Sequence, residues 1–312
     1  MSRFNKRQRT RSSDSALYDK WLLVVVVGLI IIGLMMVASS SVMVSTKYFH
    51  QPFHFLIRQA CYLVVGIFAA MLVMRIESST WEKYSVRLLL VCLVLLLIVL
   101  IPGIGRVVNG SRRWVAIGPI GIQVSELAKM TMILYLSGYL VRQQKCIDNS
   151  IIGFIKPMII LAIVALLLLM EPDFGATVVI TGTVMAMLFL TGVKLRYYIG
   201  LLVMVGVALA FLAVSSPYRM ARLTAFLNPW ADQFNSGYQL TQSLIAFGRG
   251  GWFGVGLGDG VQKLLYLPEA HTDFLFAVLA EELGVAGVLL VMSLYSILVW
   301  RGFLIGFKAY TQ

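Results

Sequence analysis

Charged residues are scarce in this chain of 312 residues, of which only 13% are Asp, Glu, Lys or Arg. A soluble domain usually carries about 25% charged residues. Hydrophobic residues make up 59% of the chain, far more than a single buried core requires. The composition therefore excludes an ordinary soluble domain and indicates a protein that lies within a membrane.

Motifs for metal, disulfide and nucleotide chemistry are also missing. The chain has three cysteines and no CxxC pair, which argues against a disulfide framework or a zinc site. It contains no P-loop, GxGxxG, HExxH or GxSxG motif. The glycine-rich stretch 248–260 lacks the Lys-Ser/Thr ending of a phosphate loop and precedes no strand. We therefore expect no cofactor and no metal site.

Long apolar runs dominate what is present, and they are continuous rather than alternating. Continuous runs favour membrane helices over a β-barrel. Each run is close to the roughly 20 residues that cross a bilayer. We predict an all-α polytopic membrane protein with eight transmembrane helices, at 21–46, 55–75, 85–103, 124–141, 155–171, 175–193, 197–214 and 274–300.

Lys and Arg indicate the orientation of these spans. Basic residues are more frequent in the loops on the side of the N-terminus, which places the N-terminus in the cytoplasm. Residues 1–20 are basic and Ser-rich and should form a flexible cytoplasmic tail, followed by a membrane domain over 21–312. The first apolar run is too long for a signal peptide. The net charge of +12 comes without aromatic and basic interleaving, so we expect no nucleic-acid partner.

The opposite side keeps more positive charge than topology requires, which indicates an anionic ligand there. Two external segments stand out, at 104–123 and 215–273. The second is rich in glycine and aromatic residues and is too long for a simple connection. We expect it to pack on the outer membrane surface, partly as an interfacial helix beginning near residue 238.

The most unusual cluster of polar residues directly precedes the last apolar run. Glu269, His271 and Asp273 lie within five positions there. Asp273 has two interpretations, as a helix cap together with Thr272 or as a general base. His271 either orients a substrate or bonds to the backbone, which is the commoner case. Glu269 is expected to be a loop residue that pairs with Lys263.

Five further residues are candidate ligands on the external side. Glu126 and Lys129 are three positions apart on one predicted helix and share a face, either as a helix-locking salt bridge or as part of a polar cavity. Arg112 and Arg113 suit phosphate oxygens. Trp114, next to them, suits a sugar face or an ordinary interfacial belt.

Two acidic pairs have mainly structural interpretations. Glu171 and Asp173 flank a proline in a tight external hairpin and are expected to cap and turn, with a smaller chance of contributing polarity to a cavity. Glu281 and Glu282 lie inside the last span. At least one of them should face the interior and find a donor.

These residues belong to stretches that resemble the SEDS (shape, elongation, division and sporulation) family, and within it the cell-division members rather than the elongation members. The resemblance covers nearly the whole chain. It is carried by NGSRRW at 109–114, SELAK at 125–129, RLTAFLNPW at 222–230, GYQLTQS at 237–243, YLPEAHTDF at 266–274 and AEELG at 280–284.

The resemblance implies a helical bundle and a chemistry. The family usually has ten spans, whereas eight are predicted here. Its catalytic aspartate maps onto Asp273 and its fourth-span lysine onto Lys129, and some relatives carry a basic residue where Gly121 stands. The implied activity is polymerisation of lipid II into glycan strands by inverting glycosyl transfer. A divalent cation could assist at the pyrophosphate, although no ligand cluster is evident.

The resemblance also implies partners and a location. The expected partners are a class B penicillin-binding protein of the FtsI type, other divisome proteins and membrane lipid. The expected location is the division septum of the bacterial cytoplasmic membrane. Two alternatives remain open, namely a lipid II flippase and a non-catalytic scaffold of the divisome.

Overall fold

The computed structural model describes residues 19–108, 111–117, 120–149 and 151–310. The predicted tail over 1–20 lies almost wholly outside this range, as do Asn109 and Gly110 of the NGSRRW stretch. The chain divides into two compact units, one formed by residues 1–69 with 218–312 and the other by residues 70–217. Each unit is described separately below.

The described part of the chain contains ten α-helices, one 3-10 helix at Pro229–Asp232 and three short strands. Eight of the helices lie on the eight predicted spans. The α-helices are α1 Lys20–Phe49, α2 His54–Met74, α3 Ser78–Leu100, α4 Val124–Asn149, α5 Ile151–Met170, α6 Phe174–Leu190, α7 Leu195–Val214, α8 Pro217–Leu227, α9 Tyr238–Gly250 and α10 Leu275–Tyr310.

The membrane-spanning character is clearest in five helices, α1, α2, α3, α7 and α10, which are long and apolar enough to cross a bilayer. The apolar stretches of α5 and α6 are shorter. The prediction of a multi-pass helical membrane protein is therefore confirmed, whereas the count of eight spans stays a prediction.

The described residues of segment 104–123 include a small sheet, which the prediction of an all-α protein did not contain. Its strands are β1 Gly105–Val108, β2 Ser111–Ile117 and β3 Ile120–Gln123, paired antiparallel in the order β1-β2-β3. The register between β1 and β2 shifts after Arg106, which leaves Arg113 as an extra residue on β2. Such a bulge bends the strand and redirects a side chain.

In the first unit, α1 packs along α10, which also packs against α9. Asp19 caps α1 by accepting a hydrogen bond from Leu22 N at 3.0 Å. The buried residues in the last ten positions of α1 are three serines, and small residues allow helices to approach closely. These are Ser40, Ser41 and Ser45. The core around them contains Met36, Ala246, Leu267, Ala270, Ala277, Val278, Leu279 and Val291.

Helix α10 is broken at Gly284, whose φ of 65° lies in the left-handed region. A break within an apolar helix exposes backbone groups that need partners. The loop 251–256 supplies them through four backbone hydrogen bonds: Val285 N to Gly251 O at 3.0 Å, Ala286 N to Trp252 O at 3.1 Å, Val255 N to Glu281 O at 3.0 Å, and Gly256 N to Glu282 O at 3.1 Å. The loop is therefore fixed to α10 along its length.

The predicted interfacial helix corresponds to α9. Its buried positions carry small residues such as Ala246 and Gly250, whereas Leu244 and Phe247 are exposed. A Cβ atom at Gly250 would lie 1.9 Å from the carbonyl oxygen of Ala280, so the backbones of α9 and α10 approach too closely for any side chain there.

In the second unit, α4 packs against α3, α5 and α6. Its buried side chains include Met132 and Leu136, which contribute to an apolar core shared by these helices. Arg142 of α4 pairs with Glu82 of α3 at 3.2 Å. The β-sheet contacts the same helices through β2, so α3 and α4 carry the strand that holds the predicted arginines.

Candidate active site

Asp273 lies in a tight turn directly before α10. Two hydrogen bonds close the turn: the N–H groups of Thr272 and Phe274 both donate to the carbonyl oxygen of Glu269, each at 3.2 Å. The side chain of Asp273 is exposed, and within the described residues its carboxylate has no hydrogen bond or ion pair. A free carboxylate at a helix entrance is available to a ligand.

Within the described residues, neither Asp273 nor Thr272 accepts a hydrogen bond from the first turn of α10. The hydroxyl of Thr272 donates to Glu269 Oε2 at 2.9 Å. The N–H groups of Ala277 and Val278 donate to the carbonyl oxygen of Phe274. An interaction between the charge of Asp273 and the helix dipole stays a prediction.

Glu269 and His271 do not have the partners expected of them. Glu269 bonds to Thr272 rather than to Lys263, because it is exposed in the turn while Lys263 is buried. The His271 ring contacts the Phe55 ring with centroids 4.5 Å apart. Its Nδ1 atom is buried and has no hydrogen-bond partner in the described chain, so the expected bond to backbone is absent.

Lys263 instead forms a buried network with α1 and α10. Its ammonium nitrogen lies 2.6 Å from Glu282 Oε1 and donates to the hydroxyl of Ser39 at 2.8 Å. Ser39 in turn donates to Glu282. Sequence reasoning missed Lys263 and Ser39 in this role. The available signal was Glu282 itself, because a buried carboxylate requires a cation or donors.

Glu281 has a network of its own, so the prediction that one of the two glutamates finds a donor holds for both. The backbone N–H groups of Val261 and Gln262 donate to its carboxylate at 3.0 and 3.1 Å. Arg249 of α9 lies 3.4 Å away. Two adjacent glutamates thus fix the chain segment that leads to the turn carrying Asp273.

In the second unit, Arg113 is engaged by the hairpin between α5 and α6. Its guanidinium donates to the carbonyl oxygens of Glu171 and Pro172 and lies 3.9 Å from Asp173 Oδ1. The bulge in β2 explains this orientation. Arg112, beside it, is exposed.

The two acidic side chains of this hairpin, Glu171 and Asp173, differ in their hydrogen bonding. Asp173 accepts a hydrogen bond from Ala176 N at 3.1 Å and caps α6, as predicted. Glu171 is fully buried, and neither of its oxygens has a hydrogen-bond partner among the described residues. Burial first, and then the negative charge of Asp173, raise the pKa of Glu171 to about 7, although Arg113 opposes the change.

Lys129 and Glu126 form the predicted pair at the start of α4, with 2.7 Å between Nζ and Oε1. Both side chains are partly exposed rather than enclosed. Trp114 lies over Gly121, where an added Cβ would meet the indole ring at 3.3 Å. The absence of a side chain at Gly121 therefore leaves room for this ring.

The predicted site residues thus form two groups. Glu269, His271 and Asp273 share one turn of the first unit, and Arg112, Arg113, Trp114, Glu126 and Lys129 belong to the second. No group of three His, Cys, Asp or Glu side chains suited to a metal occurs within the described ranges.

The fold and these polar groups define a multi-pass helical membrane protein with ionisable side chains near the ends of its helices. The model of the FtsW/RodA/SpoVE family of cell cycle proteins matches residues 20–312. The chain therefore belongs to this family.

Curated relatives and solved structures agree with this assignment. The chain is 73% identical over 308 residues to a probable peptidoglycan glycosyltransferase FtsW of Legionella pneumophila, covering 99% of this chain and 78% of that protein. It is 54% identical over 299 residues to the protein of the same name in Coxiella burnetii, covering 96% and 80%.

Two solved structures share the fold. One is a chain of a peptidoglycan synthase complex that coordinates polymerization and crosslinking, with a TM-score of 0.65 and 27% identity over 88% of this chain and 76% of that chain. The other is the rod shape determining protein RodA of Thermus thermophilus, with a TM-score of 0.61 and 26% identity over 91% and 73%.

Proposed function

We propose that this chain is a peptidoglycan glycosyltransferase that polymerises lipid II, with Asp273 as its general base. The observation that carries the proposal is the exposed carboxylate of Asp273, which has no partner among the described residues and lies in a turn closed by two backbone hydrogen bonds. The names of the curated relatives supply the reaction class.

The proposed step is an inverting displacement at a sugar carbon. Asp273 removes the proton from the 4-hydroxyl group of the acceptor sugar, and that oxygen attacks the anomeric carbon of the donor chain. The bond to undecaprenyl pyrophosphate breaks, and the pyrophosphate leaves with the bonding electrons. An exposed carboxylate without a competing donor suits this role, because nothing has to be displaced before the acceptor hydroxyl binds.

Negative charge builds on the leaving pyrophosphate, so positioned cations should stabilise the transition state. Arg112 is exposed and suits this role best. Lys129 is partly exposed beside Glu126, which holds its ammonium group in place. Arg113 is assigned only an indirect role, because its guanidinium group is hydrogen-bonded to the turn between α5 and α6. Trp114 is assigned to the sugar face.

Glu269 and His271 are assigned to substrate contacts around the base. Glu269 is exposed four positions before Asp273. The unpartnered Nδ1 atom of His271 offers a polar contact if a substrate group reaches it. Both residues shape the turn, so their loss should weaken binding more than it changes the chemical step.

A divalent cation remains part of the proposal as an accessory. Mg²⁺ commonly binds through substrate phosphates with one or two carboxylates. Since the described residues contain no three-ligand cluster, the pyrophosphate oxygens would supply most of the ligands. The proton transfer to Asp273 does not depend on the cation.

The proposed setting is the septal cytoplasmic membrane, with the N-terminus in the cytoplasm and Asp273 outside. A class B penicillin-binding protein is the proposed partner, together with other divisome proteins. The similarity to a chain of a synthase complex that couples polymerization and crosslinking supports such a pairing.

The test is polymerisation of lipid II by purified full-length chain in bilayers, alone and with the transpeptidase. Asp273→Asn should reduce the rate by at least about 10²-fold, the range expected when a general base is lost. Asp259→Asn changes another exposed carboxylate of the same unit and serves as the matched control. Wild-type rates for Asp273→Asn would overturn the assignment of the base.

The same preparation separates the two alternatives. A flippase would move lipid II between leaflets without producing glycan strands. A scaffold would support division in cells when it carries Asp273→Asn. Strand synthesis that depends on Asp273 excludes both as the sole function.

A further inference from the structure

Two polar ties join α1 to α10 within the first unit. At one end, Arg301 Nε donates to Asp19 Oδ1 at 3.2 Å. At the other end, the hydroxyl of Ser39 donates to both oxygens of Glu282, at 2.7 and 2.8 Å. Because the start of α1 meets the end of α10, the two helices run antiparallel.

The spacing of these ties matches the thickness of a membrane. Asp19 and Ser39 are 20 positions apart along α1, which corresponds to about 30 Å at 1.5 Å per residue. The hydrocarbon core of a bilayer is also about 30 Å thick. Between the ties, α10 contains no charged residue, and the one charged residue of α1 is Lys20, directly beside Asp19. The ties therefore mark the two edges of the hydrocarbon layer.

The positions of these two ties give the depth of the loop 251–256 in the membrane. Its Trp252 carbonyl oxygen accepts a hydrogen bond from Ala286 N, less than two turns beyond Glu282. Trp252 consequently lies at the same membrane edge as the tie between Ser39 and Glu282. Phe253 follows it in the same turn.

The side chains of this turn are unusually exposed for residues whose backbone is so firmly held. Trp252 is 73% exposed and Phe253 is 85% exposed. The turn is tied to α10 by backbone hydrogen bonds, which hold its backbone beside α10 while both rings lie on the surface. Two large adjacent aromatic rings at such a depth match the aromatic belts found where hydrocarbon meets headgroups.

We propose that Trp252 and Phe253 insert into the lipid interface on the Glu282 side and anchor the broken part of α10 there. One consequence of this anchor rests on the proposed function. Asp273 lies nine positions before Glu282, seven of them within α10. The anchor therefore limits the distance of the base from the membrane edge to at most about 18 Å, at about 1.5 Å for each helical position and up to about 3.6 Å for each of the other two. A sugar linked to lipid through pyrophosphate also lies just outside the headgroup phosphates.

The first experiment measures depth and does not depend on catalysis. Nitroxide labels at Trp252→Cys and Phe253→Cys, in a cysteine-free full chain in nanodiscs, are exposed to oxygen and to a water-soluble nickel complex. Both labels should collide mainly with oxygen, like a control at Leu290, which is 52% exposed between the ties. A label at Ala309, beyond Arg301, should collide with nickel.

Two outcomes would overturn the anchor. Collision of both labels mainly with nickel would place the turn in water. Protection from both reagents would show that the rings are covered by protein, such as a second copy of the chain.

The second experiment tests the consequence for the reaction. Trp252→Ser/Phe253→Ser should slow lipid II polymerisation by about tenfold in nanodiscs, because a small misplacement of a catalytic group is costly. In detergent micelles, which impose no fixed bilayer edge, the loss should disappear. The swap Trp252→Phe/Phe253→Trp should restore activity in nanodiscs.

The experiments show separately whether the anchor or the proposed function fails. Equal loss in micelles and nanodiscs would reject the link between the anchor and the base while leaving the measured depth intact. Full activity of Asp273→Asn would reject the proposed function without affecting the label data.

Discussion

The ammonium nitrogen of Lys263 lies 2.6 Å from Glu282 Oε1, and both side chains are almost completely buried, at 7% and 0% exposed. Burial makes this contact different from the pair between Lys129 and Glu126, which is partly open to solvent. A buried charge that loses its partner keeps its desolvation cost.

Lys263→Met should therefore destabilise the protein by about 3–5 kcal/mol, since Glu282 would be left buried without a cation. The double variant Lys263→Met/Glu282→Leu should recover much of this loss. Lys129→Met serves as the control and should change stability by no more than about 1 kcal/mol. Unfolding in detergent micelles measures all three, and additive losses in the double variant would contradict the interpretation.

The raised pKa of Glu171 predicts that the stability of the folded chain depends on pH. Its pKa in the folded chain is about 7 against an ordinary value of 4.5. A raised pKa means that the stabilising contribution is complete below about pH 4.5 and is lost as the pH rises through 7. The loss amounts to about 2–3 kcal/mol.

Glu171→Gln keeps the shape of the side chain but cannot ionise. Its stability should therefore change less between pH 5 and 8 than that of the wild type, and it should exceed the wild type at pH 8. Glu269→Gln alters an exposed carboxylate and should leave the wild-type slope unchanged. Parallel slopes for wild type and Glu171→Gln would show that Glu171 is already charged at pH 5.

Arg112 and Arg113 should differ in what they support. Arg113→Ala removes hydrogen bonds to the α5–α6 turn and the charge beside Glu171, so it should reduce stability by about 1–3 kcal/mol. Arg112→Ala should stay within about 0.5 kcal/mol of wild type but should slow lipid II polymerisation. Melting temperatures and polymerisation rates of both variants check this division, which an equal loss of stability would contradict.

Gly254 tests whether the loop fills the break in α10. A Cβ atom there would lie 2.0 Å from the carbonyl oxygen of Glu282, and its φ of 80° disfavours any side chain. Gly254→Ala should destabilise the protein by more than 1 kcal/mol, on the order of the strain of such a position. Gly248→Ala, in α9 with open space around it, should be neutral or slightly stabilising. Equal melting temperatures would show that the loop moves aside at little cost.

The membrane helices could be predicted from the sequence. In a membrane, the backbone N–H and C=O groups of a continuous apolar run must bond to each other, and a helix is one of the few structures that allows this. Each predicted span lies on one of eight observed helices, although some helix ends differ from the predicted ends by seven to ten residues. The small sheet at 104–123 could not be predicted in the same way, since its strands are short and their pairing depends on turns. The bulge at Arg113 follows from that pairing.

The candidate site was only partly accessible to sequence reasoning. Asp273 was identified by its position and by family resemblance, and among the described residues its carboxylate makes no capping hydrogen bond to α10. The expected pairing of Glu269 with Lys263 was wrong, because sequence proximity does not reveal which side chain is buried. Lys263 turns inward to Glu282 and Ser39, which are 19 and 224 positions away.

A helical membrane protein with few, localised charges follows from the amino-acid sequence alone, because the length of apolar runs and the placement of charges are properties of the chain. Which charges are neutralised and which remain available depends on the folded structure. Among the described residues, Lys263 pairs with Glu282, Arg113 is hydrogen-bonded to a turn, and Asp273 has no partner. Such choices depend on contacts between distant segments, and the cost of burying an unpaired charge selects among them.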